Sequence, residues 1–344
     1  MTSMRAAVLR EFGKPLSIET LEAPEPGPGQ LLVRVYYSGF CRKQLEEMDG
    51  TRPDPYLPHL LGHEGAGVVE AVGKSVSVAQ LGDHVILSWI AGLGAQSATP
   101  TYSSNSGPVN AGWITTFNTH AIVSENRVTP IRRDMPLERA ALLGCAVPTG
   151  AGSFLHEESL NSNSTVAIFG TGGIGLNAIQ AASYRGAKTV IAVDVHDEKL
   201  DMARTFGATH TVNAANEDPV EAIKRITGDG ADFTFESAGL IKTMEQAYDA
   251  ASDTVGKVIL AGVNPAAEKL SIDPHALHFG KILTGTAGGF SKPDEDYPRY
   301  IDLYMEGRWK LDELVTHTFT LDEINQAADV LRSGKAGRVL IDLT

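Results

Sequence analysis

The chain has 344 residues, 42% of them apolar, and a formal net charge of −13. The length predicts one or two domains with a substantial core, and the acidic balance argues against nucleic acid or an anionic membrane as a partner. Two cysteines are too few for a disulfide scaffold. The N-terminus has no signal-peptide core, and no run approaches the ~18 apolar residues of a membrane helix. We therefore expect a cytoplasmic protein.

The first third of the chain predicts β structure. Short runs rich in Val, Ile and Leu are separated by Gly, Pro and Asp, as in hairpins and small barrels. These runs are MRAAVLREF, LSIETLEAP, QLLVRVYYSGF, GAGVVEAVG and GDHVILSWI. We expect no helix before about residue 136. The polar segment 92–112, rich in Ser and Gly, is predicted to be an exposed lobe or loop.

From residue 136 onward the pattern changes. PLERAALLGCAVPTGAGSFLH is predicted to be helical, and strands and helices then alternate. The strands STVAIFG, TVIAVDV and ADFTFES are nearly all apolar, which is typical of a parallel sheet covered on both faces. A late run, GRVLIDL, predicts one more strand. The fold class is therefore α/β, with a Rossmann doubly wound sheet and a β domain.

A glycine motif predicts a dinucleotide site. Gly170, Gly172 and Gly175 form G-x-G-x-x-G between an apolar strand and a helix. The first glycine makes the turn, the second admits the pyrophosphate, and the third lets the helix pack on the sheet. The intervening Gly173 and Ile174 would offer backbone N–H groups at the helix N-terminus. The alternative is a doubly wound domain whose glycine turn is vestigial.

The next strand indicates which cofactor binds. It ends in Asp194, whose carboxylate can accept hydrogen bonds from the adenosine ribose and repel a 2′-phosphate. Val195 and His196 follow, with no Arg or Lys. The sequence therefore predicts NAD rather than NADP.

Three residues from separate segments predict a metal centre. Cys41, His63 and Cys145 supply two thiolates and one imidazole, which is a ligand set for a catalytic zinc with one open position. Each residue alone is more often structural, since free cysteine packs as a small hydrophobe. The combination favours zinc.

The chain resembles the zinc-dependent medium-chain alcohol dehydrogenases over nearly its whole length. The matching features, in family order, are the Cys41 segment, GHEGAGVVEAVG, GDHV, GCAVPTGAGS, the glycine motif, Asp194 with Lys199, and GRVLIDL. The resemblance implies a GroES-like catalytic domain from residues 1–146 and 290–344, and a Rossmann NAD-binding domain from residues 147–289. It also implies a homodimer or homotetramer, formed by the edge strand of the cofactor domain.

The resemblance implies roles for individual residues around the metal. Cys41, His63 and Cys145 match the zinc ligands, and Glu64 matches the acid beside the zinc. Trp89 matches a large side chain that lines the alcohol pocket, although a place in the core is the alternative.

The resemblance also implies cofactor contacts beyond the glycine motif. Arg42 and Arg338 match contacts to the pyrophosphate, and Thr149 matches a threonine near the nicotinamide. Asp194 and Lys199 match contacts to the adenosine ribose. Val263 and Phe290 match positions whose backbone groups hold the carboxamide. For Arg338 and Lys199 the alternative is a solvated charge.

The chain departs from the family in its polar lobe. Many relatives hold a structural zinc there with four cysteines, whereas residues 92–112 contain none. Because Ser and Gln cannot replace thiolates as zinc ligands, we expect one catalytic zinc per chain and no structural zinc.

A second departure lies beside Cys41. Relatives usually carry Ser or Thr and then Asp where this chain has Lys43 and Gln44. Gln44 can still accept the His63 N–H, but a neutral partner makes the zinc more acidic. Lys43 has three interpretations: a proton donor and acceptor, a binding site for an anionic substrate group, or a solvated side chain paired with Glu46 or Glu47.

The predicted activity is zinc-assisted hydride transfer between an alcohol and NAD. A polyol or sugar derivative is the substrate that the resemblance favours. Two alternatives stay open. One is a thiol-dependent formaldehyde or aryl-alcohol dehydrogenase. The other is a zinc-free quinone-reductase-like or non-catalytic NAD-binding relative.

Overall fold

A computed structural model describes residues 1–51, 56–264 and 268–344. The chain divides into two compact units. The first unit comprises Met1–Cys145 and Lys292–Thr344, and the second comprises Ala146–Ser291. These limits lie within two residues of the predicted domain boundaries.

The strands in chain order are β1 (Thr2–Leu9), β2 (Ser17–Ala23), β3 (Gln30–Phe40), β4 (His59–Leu60), β5 (Glu64–Val72), β6 (His84–Ser88), β7 (Thr101–Ser104), β8 (Gly107–Asn110), β9 (His120–Ser124), β10 (Val128–Ile131), β11 (Thr165–Phe169), β12 (Thr189–Asp194), β13 (His210–Asn213), β14 (Phe233–Glu236), β15 (Lys257–Leu260), β16 (Ile282–Gly285), β17 (Val315–Thr320) and β18 (Arg338–Asp342).

The α-helices are α1 (Arg42–Met48), α2 (Leu137–Ala140), α3 (Ala146–Leu155), α4 (Gly173–Tyr184), α5 (Asp197–Thr205), α6 (Pro219–Thr227), α7 (Ile241–Ala250), α8 (Pro293–Met305) and α9 (Ile324–Arg332). Among the residues that the structure describes, no helix is both long and apolar enough to cross a membrane.

The second unit is a doubly wound α/β domain. Its six strands are all parallel, in the order β13-β12-β11-β14-β15-β16. The interior of β11, Val166–Phe169, is fully buried because helices cover both faces of the sheet. The strand order reverses between β11 and β14, so the crevice where such domains bind dinucleotides opens at the carboxyl ends of these strands.

The first unit is built from a β-barrel and a second β-sheet. Strands β1, β2, β7, β8 and β4 form a closed barrel, and a second sheet has the order β10-β6-β5-β3-β18-β17, with β9 also paired to β3. The apolar side chains of β3, β5 and β6 pack with those of α9 and β18 in one core. The late strand β18 therefore completes a sheet that the first third of the chain begins. This architecture confirms the predicted fold class.

A helix begins directly after Cys41, in a region where we expected none. Helix α1 is seven residues long and buries Gln44, Leu45 and Met48. A helix of two turns shows only one apolar repeat, so its periodicity is too weak to detect in the sequence. Packing of Leu45 and Met48 into the core stabilises it.

The polar segment 92–112 contains a hairpin, so the prediction of a loop was wrong for its second half. Strands β7 and β8 pair around a two-residue turn formed by Asn105 and Ser106, and belong to the closed barrel. Tyr102 and Val109 lie opposite each other and are fully buried. Their alternation with Ser, Pro and Asn was a period-two signal that the polar composition concealed.

Candidate active site

Four predicted residues of the first unit converge. One ligand atom from each of Cys41, His63, Glu64 and Cys145 lies within 4.8 Å of the others. His63, Glu64 and Cys145 are buried, and Cys41 is half-buried. In the described part of the chain this is the only such group of metal-ligating side chains. Two thiols and an imidazole are donors that suit a tetrahedral zinc, so the residues present fit that metal.

Local backbone geometry explains how these side chains meet. Cys41 lies between the end of β3 and α1, and His63 immediately precedes β5. Cys145 interrupts the helix predicted for 136–156, because its φ of −153° and ψ of −68° are not helical. Gly39 makes room for the cluster, since a Cβ there would lie 2.6 Å from the Glu64 carboxyl carbon.

The cluster favours a thiolate at Cys41. A hydrogen bond with Cys145, followed by a hydrogen bond and charge from His63, holds the Cys41 pKa well below its ordinary value although burial opposes this. The nucleophilic and metal-binding form of cysteine is the thiolate. The site is therefore electrostatically prepared to hold a cation.

Glu64 forms a buried ion pair with Arg338 of β18. Both side chains are almost inaccessible to solvent, and burial lowers the pKa of the Arg338 guanidinium, while the charge of Cys41 acts to raise it. The predicted pyrophosphate role of Arg338 stays a prediction. In this structure the Arg338 guanidinium pairs with the Glu64 carboxylate, which lies beside the two thiols.

Gln44 supports His63 from α1. Its Nε2 atom lies 2.7 Å from His63 Nδ1 and 3.4 Å from a carboxylate oxygen of Glu47. Rotating the Gln44 amide by half a turn would place Oε1 where it accepts a hydrogen bond from the Nδ1–H of His63. The His63 tautomer that carries its proton on Nδ1 leaves Nε2 free to bind a metal. Gln44 can thus orient the histidine as the sequence predicted.

Lys43 pairs with a glutamate of its own helix. Its ammonium group pairs with Glu47 one turn along α1, and its side chain is 47% exposed. This is the arrangement described by the third interpretation of Lys43. Arg42, the predicted pyrophosphate contact, is exposed at the start of the same helix.

The backbone of Trp89 is hydrogen-bonded to that of His63. Its N–H donates to the carbonyl of His63 at 3.1 Å, and its carbonyl accepts a hydrogen bond from Arg127. The Trp89 side chain is half-buried and packs on the core of the first unit. Both the predicted pocket wall and the core alternative are compatible with this position.

Arg127 and Glu125 organise the segment that lacks cysteines. The Arg127 guanidinium donates twice to Gln96 Oε1, at 2.7 and 3.0 Å, and lies 4.7 Å from the ring centre of Trp113. The Glu125 carboxylate accepts from the backbone N–H of Ala95 at 3.0 Å. Sequence reasoning missed both residues. Their only signal was a pair of opposite charges inside an apolar stretch, ENRV.

The glycine motif has the geometry of a phosphate-binding turn. Gly170 has φ of +88°, a conformation that favours glycine. A Cβ on Gly175 would overlap the carbonyl of Gly170, so the helix approaches the strand as the motif requires. Helix α4 begins at Gly173 and includes Ile174 and Gly175, with Gly172 as its N-cap.

The other predicted cofactor residues of the second unit differ in the element that carries them and in their exposure to solvent. Asp194 ends β12 and accepts hydrogen bonds from Thr171. Thr149 is buried in α3, Lys199 lies on α5, and Val263 and Phe290 are exposed by 54% and 62%. Their contacts to a cofactor stay predictions.

Ser237 and Glu236 were missed by the sequence reasoning, although they border the glycine turn. Ser237 Oγ donates to the carbonyls of Phe169 and Gly170 at 3.1 and 3.0 Å. Glu236 is fully buried. Burial raises the pKa of its carboxyl, although hydrogen bonds from Thr243 and Gly239 act to lower it. An acid directly after the apolar run FTF was the available signal.

Comparison with known proteins agrees with this geometry. Residues 27–133 match the alcohol dehydrogenase GroES-like domain, and residues 173–306 match the zinc-binding dehydrogenase family. The chain is 32% identical to S-(hydroxymethyl)glutathione dehydrogenase of Paracoccus denitrificans, with 98% of this chain and 99% of the relative covered.

Two solved structures are also similar along their length. An alcohol dehydrogenase zinc-binding domain protein from Burkholderia ambifaria has a TM-score of 0.92 and 34% identity, covering 100% of this chain and 99% of the other. Benzyl alcohol dehydrogenase from Acinetobacter calcoaceticus has a TM-score of 0.91 and 32% identity, with both chains fully covered. The chain therefore belongs to the zinc-type medium-chain alcohol dehydrogenase family, and the predicted class of enzyme is confirmed.

Proposed function

We propose that the protein is an NAD-linked dehydrogenase that interconverts a primary alcohol, preferably an aryl alcohol, and its aldehyde at a single zinc. The observation that carries the reaction type is the convergence of Cys41, His63 and Cys145 within one buried cluster. A glycine turn and Asp194 support NAD as the acceptor. The choice of an aryl alcohol rests on the full-length similarity to benzyl alcohol dehydrogenase.

In this mechanism the two bound groups supply chemistry that side chains lack: zinc makes an alcohol hydroxyl more acidic, and NAD accepts the hydride. The chain's own residues hold and orient these groups. Cys41, His63 and Cys145 provide the ligands, and Gln44 fixes the His63 ring. The Arg338 guanidinium pairs with the Glu64 carboxylate in a buried position and offsets the cost of burying that charge.

The substrate alternatives differ in what they require of the pocket. An aryl alcohol suits an apolar wall such as Trp89, whereas a polyol or sugar derivative needs polar partners for several hydroxyls. The polyol prediction stays open, and similarity to S-(hydroxymethyl)glutathione dehydrogenase supports a thiol adduct as a further candidate. A screen that follows NADH absorbance should therefore compare benzyl alcohol, polyols, and formaldehyde with glutathione. A kcat/KM for benzyl alcohol below that of every polyol would overturn the aryl proposal.

The same preparation tests the metal count. We expect one zinc per chain by elemental analysis, because the segment 92–112 is held by Arg127 and Glu125 rather than by thiolates. A chelator should remove that zinc and the alcohol-dependent NADH formation together. Turnover that survives complete zinc removal would instead support the zinc-free quinone-reductase-like alternative.

A Lys43→Ser variant separates the interpretations of Lys43. Because the ammonium group pairs with Glu47 and is half exposed, we expect kcat, KM and the pH profile of kcat to stay within about twofold of the parent, as for a surface ion pair. The exposed Lys74 provides a matched Lys→Ser control. A lower kcat with a shifted pH profile would support a proton relay, and a raised KM alone would support anion binding.

We also propose that the protein forms a homodimer or homotetramer through the cofactor unit. Strand β16 is one of the two edges of the parallel sheet, and Ile282 on it is 51% exposed. An unpaired edge with an exposed apolar residue favours association with a second copy. Residues 265–267 of the predicted interface segment lie outside the described residues. Sedimentation velocity would show a monomer if the proposal is wrong.

A further inference from the structure

The carboxylate of Asp194 is fully occupied by donors of its own chain. Oδ2 accepts from the Thr171 N–H at 2.8 Å and from the Thr171 hydroxyl at 2.9 Å. Oδ1 accepts from the N–H groups of Val195 at 2.8 Å and His196 at 3.2 Å. An ionised carboxylate has about four lone-pair positions, and four donors already use them. A ribose hydroxyl can bond to Asp194 only by sharing or by displacing one of these donors.

The four donors are not equally displaceable. Three are backbone N–H groups, two at the end of β12 and one in the glycine turn, so their positions are set by the fold. The fourth is the Thr171 hydroxyl, which swings away with a rotation about one side-chain bond. Thr171 is fully buried between Gly170 and Gly172. Its hydroxyl must therefore rotate within the interior of the protein, but it is the one donor that can leave Asp194 without a movement of the backbone.

We propose that the Thr171 hydroxyl occupies the position on Asp194 that the adenosine 2′-hydroxyl of NAD takes, and that it limits NAD affinity by competing for it. The proposal rests on the proposed role of Asp194 in binding the adenosine ribose. It makes Thr171 a specificity-determining residue that acts through Asp194.

The direction of the effect follows from charge and hydrogen bonding. Without the hydroxyl, Oδ2 gains a free lone pair and the carboxylate carries more effective negative charge. Both changes favour a ligand that donates a hydroxyl, and the second disfavours one that presents a phosphate. The three backbone N–H groups keep the carboxylate in place, so its orientation survives the substitution.

The test compares Thr171→Ala with Thr171→Ser in the zinc-loaded enzyme, by titrating NADH and following its fluorescence. The serine variant keeps the hydroxyl and is the matched control. We expect the NADH Kd to fall about three- to tenfold in the alanine variant, the range for the net contribution of one ordinary hydrogen bond. In the serine variant it should change less than about twofold. NADPH should bind no more tightly to the alanine variant than to the parent.

A cofactor lacking the adenosine 2′-hydroxyl gives a readout that a purely structural role would not move. The gain in affinity from Thr171→Ala should vanish with 2′-deoxy-NADH. An unchanged or higher NADH Kd in the alanine variant, or an equal gain with the deoxy cofactor, overturns the proposal. If the parent itself binds NADPH as tightly as NADH, the proposed NAD preference fails instead, and the comparison of the two variants with NADH still reports on the hydroxyl.

Discussion

Replacing His63 by glutamine is expected to strip zinc from the cluster and to lower kcat by about 10³-fold or more, because the metal supplies several kcal/mol of stabilisation to the transition state. The imidazole is one of three protein ligands in the proposed site, and a neutral amide is a poor substitute for it. The measurements are zinc content by elemental analysis and the initial rate of NADH formation at saturating alcohol.

His59 provides a matched control for this substitution. It lies four residues earlier on β4 and has the same 8% exposure as His63, but it is not a member of the metal-ligating group. We expect His59→Gln to retain one zinc per chain and most of the activity. If His63→Gln also keeps its zinc and a kcat within tenfold of the parent, the assignment of His63 as a ligand is wrong.

Truncating Tyr102 to alanine is expected to lower the free energy of unfolding by about 4 kcal/mol, the typical cost of deleting a buried aromatic ring. Tyr102 is fully buried in the barrel, and its hydroxyl accepts a hydrogen bond from the Ile122 N–H at 2.8 Å. Tyr102→Phe removes only the hydroxyl, which also forms a hydrogen bond with the Thr115 side chain, and should cost about 1–3 kcal/mol. Urea unfolding followed by circular dichroism measures both.

The alternative for Tyr102 is that the hairpin is a detachable surface lobe. In that case Tyr102→Ala would cost no more than truncation of a partly exposed tyrosine such as Tyr184, which is 37% exposed. The free energies of unfolding of Tyr102→Ala and Tyr184→Ala would then differ by less than about 1 kcal/mol, the scale of an ordinary substitution. That result would show that the barrel does not depend on β7 and β8.

Much of the fold follows from local sequence signals. The run QLLVRVYYSGF coincides with β3 from its first residue to its last, because branched and aromatic residues lie between a glycine and a cysteine that end the apolar pattern. The parallel sheet was predictable for a similar reason. Its strands are short, apolar on both faces, and separated by helices.

The failures have physical causes. Helix α1 depends on burial of Leu45 and Met48 in a core whose other members lie elsewhere in the chain, so tertiary packing decides it. The β7–β8 hairpin is polar wherever it faces solvent, and its two buried side chains are a weak signal. Barrel closure, which pairs β8 with β4, is a long-range event that a sequence window does not contain.

The candidate site was predictable in its members rather than in its details. Zinc chemistry and the family resemblance brought Cys41, His63 and Cys145 together, and the structure places them in one cluster. Their partners were harder to predict. The pairing of Lys43 with Glu47 and the hydrogen bond from the Thr171 hydroxyl to Asp194 depend on side-chain directions that the sequence does not encode locally.

The pairing of β18 with β3 has a consequence for biosynthesis. Tyr37 pairs with Asp342, and Phe40, the residue before Cys41, pairs with Val339. The sheet next to Cys41 and Glu64 therefore closes only after the whole cofactor unit has left the ribosome. That unit is continuous in sequence and can fold first, whereas the strands before it must wait with an unpaired edge. Chaperone dependence during synthesis should thus be concentrated in the first 145 residues.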